Sequence, residues 1–193
     1  AKQYAEKLSG KGDTSQKLTL MKTSADSLKK SADALNDSSL WEKKKIKKKD
    51  EKTGEEIEVE DYDWDKITKA VKSFVEDYND VVKEAGESNT KDVLRNASWM
   101  TGMTDKNSNM LAKIGITIGK GNKLELDEDA LKQADISSLK TVFTGYNSFV
   151  SKISQKATGI SNAANRASAT YTNNGTYSKT DSLLTSSKID EEV

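Results

Sequence analysis

Residues 64–86 read WDKITKAVKSFVEDYNDVVKEAG. Trp64, Ile67, Val71, Phe74, Tyr78, Val81 and Ala85 follow one another in steps of 3, 4, 3, 4, 3 and 4. Alternating steps of this kind keep side chains on one narrow stripe of an α-helix, the a/d seam of a heptad repeat. Asp63, just ahead, is an N-cap candidate because its carboxylate can accept from the orphan N–H groups of the first turn. Gly86 is expected to close the helix in the usual C-terminal position.

The same rhythm recurs on both sides. From Thr14 to Asn36 the apolar positions are Leu18, Met21, Ala25, Leu28, Ala32 and Leu35, again a 3–4 seam on an otherwise Lys, Ser and Asp surface. Toward the C-terminus one long helix is expected from Ser137 to Ser168. Its seam is Leu139, Val142, Tyr146, Phe149, Ile153, Ile160, Ala163 and Ala167, with Lys156 falling in the stripe between Ile153 and Ile160. A weaker helical pattern covers residues 87–113 through Val93, Leu94, Ala97 and Met100, with Gly102 expected to interrupt it. Trp99 and the methionines around it read either as a small satellite core, since Met fills irregular gaps, or as a binding face.

Two segments carry a period of two instead. Between Lys43 and Lys52 lie seven lysines, and Glu55 to Asp65 is dense in carboxylates. With Ile46, Ile57 and Val59 punctuating the halves and Gly54 between them, the stretch predicts a hairpin at about residues 43–60. A lysine strand would there face an acidic one, which neutralises the run that would otherwise read as an anion patch. The second hairpin spans about residues 113–126, with Ile114, Ile116 and Ile118 opposite Leu124 and Leu126. Gly119, Lys120, Gly121 and Asn122 form its turn. These glycines lack the GxxxxGK[ST] of a phosphate loop. Asp127, Glu128 and Asp129 read as the acidic first turn of a short helix through Gln133.

The expected architecture is therefore mainly α: an elongated antiparallel helical bundle or coiled coil with two β-hairpins. Residues 1–13 form a polar N-terminal extension, 14–169 the bundle, and 170–193 a flexible Ser/Thr/Asn-rich tail. Composition agrees. Hydrophobic residues make up 34% and charged residues 32%, which suits thin helices better than a thick core, and proline is absent. Histidine and cysteine are absent too. That removes Ser–His and Cys–His nucleophile pairs, zinc sites of the His/Cys kind, and disulfides. Net charge is zero and Arg95 and Arg166 are the only arginines, a poor profile for nucleic-acid binding. No run approaches the ~20 apolar residues of a membrane span, and no n-region and h-region of a standard secretory signal opens the sequence. No cofactor is expected.

SFVEDYNDVV, residues 73–82, resembles the F-V-x-x-Y-N-x-x-hydrophobic helix of the flagellar hook-associated protein 2, or filament cap, family. LAKIGITIGKGNKLELDEDALKQA, residues 111–134, is similar to that family's hairpin and following helix, and SSLKTVFTG, residues 137–145, to the stretch after it. Order and spacing agree over roughly residues 64–167. The resemblance implies a flagellar protein exported without a cleaved signal and bundle domains in which N-terminal and C-terminal segments pair. It also implies a cap oligomer that assists flagellin insertion at the filament tip, and no catalytic residues.

On this reading the chain is a structural, non-catalytic flagellar axial or cap-like protein that assembles through helical bundle packing. Its expected partners are other copies of itself, flagellin or hook–filament junction proteins, and its place is extracellular, at the flagellum. The candidate packing or assembly seam is Leu18, Met21, Leu28, Leu35, Trp64, Ile67, Val71, Phe74, Tyr78, Val142, Tyr146, Phe149, Ile153 and Ile160. The alternative is a secreted cell-surface adhesion module with an aromatic face made of Trp41, Trp99 and Tyr62. A carboxylate-only enzyme would need two acids about 5–10 Å apart in a cleft.

Overall fold

A computed structural model of the chain describes residues 12–170. The expectations for the extension before residue 12 and for the tail after residue 170 lie outside them. Helix α1 covers Ser15–Leu35. A 3-10 turn at Ser38–Trp41 leads into strands β1, Lys44–Lys49, and β2, Glu56–Asp61. Helices α2, Trp64–Gly86, α3, Lys91–Lys106, and α4, Ser108–Ala112, follow. The second hairpin is β3, Ile116–Ile118, with β4, Leu124–Leu126. Then come α5, Glu128–Gln133, α6, Ile136–Phe143, and α7, Phe149–Thr170. The protein is mainly α with two small antiparallel hairpins, as the periodicities predict.

Four helices make the bundle. α1 packs against α2 and α7, and α3 closes the ring by packing against α2 and α7. Side-chain pairs fix the directions. Asp33 meets Ser154 and Asp26 meets Ser161, so α1 and α7 run antiparallel. Trp99 meets Lys156 and Asp92 meets Arg166, so α3 and α7 do as well. The result is an up-down-up-down arrangement in which every neighbour is antiparallel. The start of α1, the α2–α3 connection and the end of α7 share one end. The β1–β2 hairpin and the α6–α7 connection share the other.

Caps define the helix boundaries. Thr14 Oγ1 accepts from Lys17 N at 3.2 Å and Asp63 Oδ1 accepts from Lys66 N at 3.1 Å. Asp127 Oδ1 accepts from the N–H groups of Asp129 and Ala130 at 3.0 Å each. Gly86 differs from expectation: it stays inside α2, which is capped by Glu87 instead. Gly102 likewise does not interrupt its helix, because α3 runs through it. One glycine in a sixteen-residue helix costs only about 1 kcal/mol, which the buried Val93, Ala97, Met100 and Thr104 outweigh.

The largest correction concerns the C-terminal helix. A single helix does not run from Ser137 to Ser168; the chain breaks between Phe143 and Phe149. Gly145 adopts φ +99°, outside the helical range, and its N–H donates to Asn36 Oδ1 at 2.8 Å. α7 restarts at Ser148, whose hydroxyl accepts from Ser151 N at 3.2 Å.

The core is aromatic toward the hairpin end. Trp41 stacks on Phe143 at 5.5 Å, and Phe74 meets Phe143 and Phe149 edge-on at 6.5 and 6.3 Å. Trp41 is anchored by its indole N–H, which donates to Leu35 O at 2.8 Å. Trp41 thus closes this end of the bundle as a lid.

Candidate functional site

The residues that carry the family resemblance form one joint between α2 and the β3–β4 hairpin. Phe74 fills the aromatic core. Tyr78 is buried, and its hydroxyl donates to Thr104 Oγ1 at 2.8 Å, tying α2 to α3. Burial is the main cause that pushes the Tyr78 phenol up to about 12, so it stays a neutral donor. Asn79, the next residue, points the other way. Its Nδ2 donates to Leu124 O at 2.9 Å and its Oδ1 accepts from Leu124 N at 2.7 Å. One amide side chain thus satisfies the backbone of β4 as a third strand would. Gly115 completes the joint. It sits at φ +86°, and a Cβ there would lie 2.6 Å from Asp127 O and 2.9 Å from Leu131 N. Its carbonyl accepts from Asp127 N at 2.8 Å, which sets α5 against the hairpin.

A family model for the C-terminus of flagellar hook-associated protein 2 matches residues 88–191. The chain belongs to that family. No curated protein and no solved structure matches it. Membership makes it a structural, cap-like protein associated with the bacterial flagellum, in a family not known for enzymes.

The hook-associated chain places its seam residues as follows. Leu18, Met21, Leu28, Leu35, Ile67, Val71, Phe74, Tyr78, Val142, Phe149, Ile153 and Ile160 are all buried, and Trp64 is half-buried against them. They face one another within a single chain. Tyr146 is the exception: it lies in the break after α6 and is 82% exposed, so it takes no part in the packed seam. Lys156 is also misplaced. Ala157, fully buried, takes the stripe between Ile153 and Ile160, while the Lys156 ammonium sits 4.2 Å over the Trp99 ring.

Polar pairs that the heptad pattern does not predict flank the α1–α7 seam. Ser154 Oγ donates to Asp33 Oδ1 and Ser161 Oγ to Asp26 Oδ1, each at 2.6 Å. Lys29 and Lys22 bind the outer oxygens of the same two aspartates. The signal lies in the sequence: SADSLKK, residues 24–30, is followed at once by SADAL, residues 31–35, so the aspartates recur one heptad apart. Burial works to raise both carboxylates, and hydrogen bonds from Lys and Ser outweigh it and hold them below the usual range.

The aromatic face of the adhesion reading does not form. Trp41 is buried beneath Phe143 and Tyr62 is half-buried, which leaves Trp99, 44% exposed. The lysine run is indeed one strand of a ribbon: Lys45, Lys47 and Lys49 stand opposite Glu60, Glu58 and Glu56. A recess of about 260 Å³ between this ribbon and the start of α2 is lined by Ile46, Lys47, Lys48, Asp63, Trp64 and Asp65. Among the described residues no cluster of His, Cys, Asp or Glu is arranged to hold a metal ion. No helix there is long and apolar enough to cross a membrane.

Proposed function

We propose that the chain is a non-catalytic axial or cap-like component of the flagellum, joining copies of itself or neighbouring axial proteins through the outer surfaces of preassembled bundles. Flagellin and hook–filament junction proteins are the neighbours meant, and the site of action is extracellular. The observation that carries this reading is the closed core. α1 and α7 pair along their length, so the heptads are satisfied within one chain, and partners must meet the outside. Tyr146 projects at the hairpin end and Trp99 on the α3–α7 face, two large side chains of the kind that anchor interfaces.

The test is sedimentation of the full chain over a range of concentrations, with a parallel binding measurement on purified flagellin and hook–filament junction proteins. Reversible oligomers, or saturable binding to an axial protein, are expected. A chain that stays monomeric and binds none of these proteins overturns the reading.

A further inference from the structure

The β1–β2 ribbon is segregated by charge in a way its own fold does not need. β1 reads KKIKKK and β2 reads EIEVED. On one face Ile46 pairs with Val59, beside Lys48 opposite Ile57 and Lys44 opposite Asp61. The other face carries only Lys45, Lys47 and Lys49 against Glu60, Glu58 and Glu56. The charges are solvated: in the Lys45–Glu58 contact at 3.5 Å the side chains are 81% and 59% exposed. Pairs this exposed contribute little to holding the ribbon together. A lone two-stranded ribbon is also marginal in water.

Among the described residues neither strand pairs with a third. An open edge offers backbone N–H and C=O groups to any strand that can approach. Charge decides which can. Two lysine edges repel, and so do two acidic edges, which excludes a two-fold contact of β1 with β1 or β2 with β2. The lysine edge of one copy against the acidic edge of the next is favourable. Copies standing side by side in one orientation bring β2 of the first antiparallel to β1 of the second. Such a contact is heterologous, and it generates a ring if the rotation closes.

We propose that the β1–β2 ribbon joins copies of this chain head to tail, the lysine edge of one copy adding antiparallel to the acidic edge of the next. The inference rests on the self-association reading above and names its surface.

The test exchanges the charges. A full chain carrying Lys45→Glu, Lys47→Glu, Lys49→Glu, Glu56→Lys, Glu58→Lys and Glu60→Lys keeps every cross-strand pair on that face opposite in sign. It should therefore fold and oligomerise as the wild type does. In the head-to-tail contact, however, its acidic β1 meets the acidic β2 of the wild type and its basic β2 meets the lysine-bearing β1, so both mixed contacts repel. When it is mixed with heavy-isotope-labelled wild type and examined by native mass spectrometry, the two populations should sort into separate oligomers. Mixed oligomers in statistical proportion overturn this inference and leave self-association standing; a monomeric wild type overturns both. If the exchanged chain does not fold, single variants Lys47→Cys and Glu58→Cys decide the matter, because the natural sequence has no cysteine. Oxidation of their equimolar mixture should give the heterodimer well beyond twice the yield of either homodimer, and the statistical 1:2:1 ratio overturns the proposal.

Discussion

Asp13 caps helix α3 at Thr90, 77 positions further along the chain. Its Oδ2 accepts from Thr90 N at 3.0 Å and from Thr90 Oγ1 at 2.7 Å. Ser88 Oγ and the Asn89 N–H donate to the same carboxylate. Thr90 makes no side-chain cap of its own, so the anion that suits the positive end of α3 comes from the segment before α1. The Asp13 side chain is fully buried, with Lys17 3.4 Å away. Asp13→Ala should therefore lower stability by about 2 kcal/mol, since it strands several donors. Asp13→Asn should cost less, because one amide oxygen still accepts. Urea unfolding midpoints of the three proteins check the order.

The same carboxylate sets an acid limit. Burial works to raise the Asp13 pKa, but hydrogen bonds from Ser88, Asn89 and Thr90 and the charge of Lys17 outweigh it, and the net shift is downward. Asp26 and Asp33 shift the same way. A group depressed in the folded state adds stability above its unfolded pKa and loses it as pH falls through the folded one. Stability should accordingly fall as pH drops below about 3.8, the ordinary Asp value. Asp13→Asn should flatten that fall. Asp77 has the opposite sign: burial first, then the charges of Asp80 and Glu76, push it up despite a bond with Ser31. Asp77→Asn should raise the thermal midpoint at neutral pH, and the gain should vanish below the unfolded pKa. Thermal melts across pH read both effects.

The exposed Tyr146 and buried Phe149 share one predicted stripe but should behave unlike each other. Phe149→Ala should cost about 3–5 kcal/mol, as aromatic deletions in cores do. Tyr146→Ala should stay within about 0.5 kcal/mol, as surface changes do. Chemical denaturation of the two variants separates them. A loss of self-association in Tyr146→Ala without loss of stability would mark that residue as a contact.

That contrast shows where the sequence was legible. α1 and α2 were readable because their 3–4 steps run unbroken and every seam residue of α1 is buried. The α6–α7 break was not, because Tyr146 falls at the right spacing by coincidence while Gly145, beside it, turns the chain. A strict 3.5 repeat continued beyond the break places Lys156 in the stripe that Ala157, one residue on, occupies. Hairpin strands and their charge pairing were readable from alternation and turn residues. The Asp13 cap, the Asn79 joint and the Ser–Asp pairs are not legible in the sequence, because each depends on a partner 45 or more positions away.

Asn79 gives the sharpest stability prediction. Its amide bonds both backbone groups of Leu124, which is itself 2% exposed. Asn79→Ala should remove about 1–3 kcal/mol, because a backbone donor and acceptor lose their partner in a half-buried place. Asn79→Asp keeps the acceptor for Leu124 N but sets a carboxylate against the Leu124 carbonyl, which it cannot donate to. It should therefore recover little of the loss at neutral pH and more as the acid protonates. Loosening should be local as well as global: amide exchange at Leu124 and along β3–β4 should speed up more than in α1 or α7. Equal acceleration throughout the bundle would mean that Asn79 supports the core and not the hairpin joint.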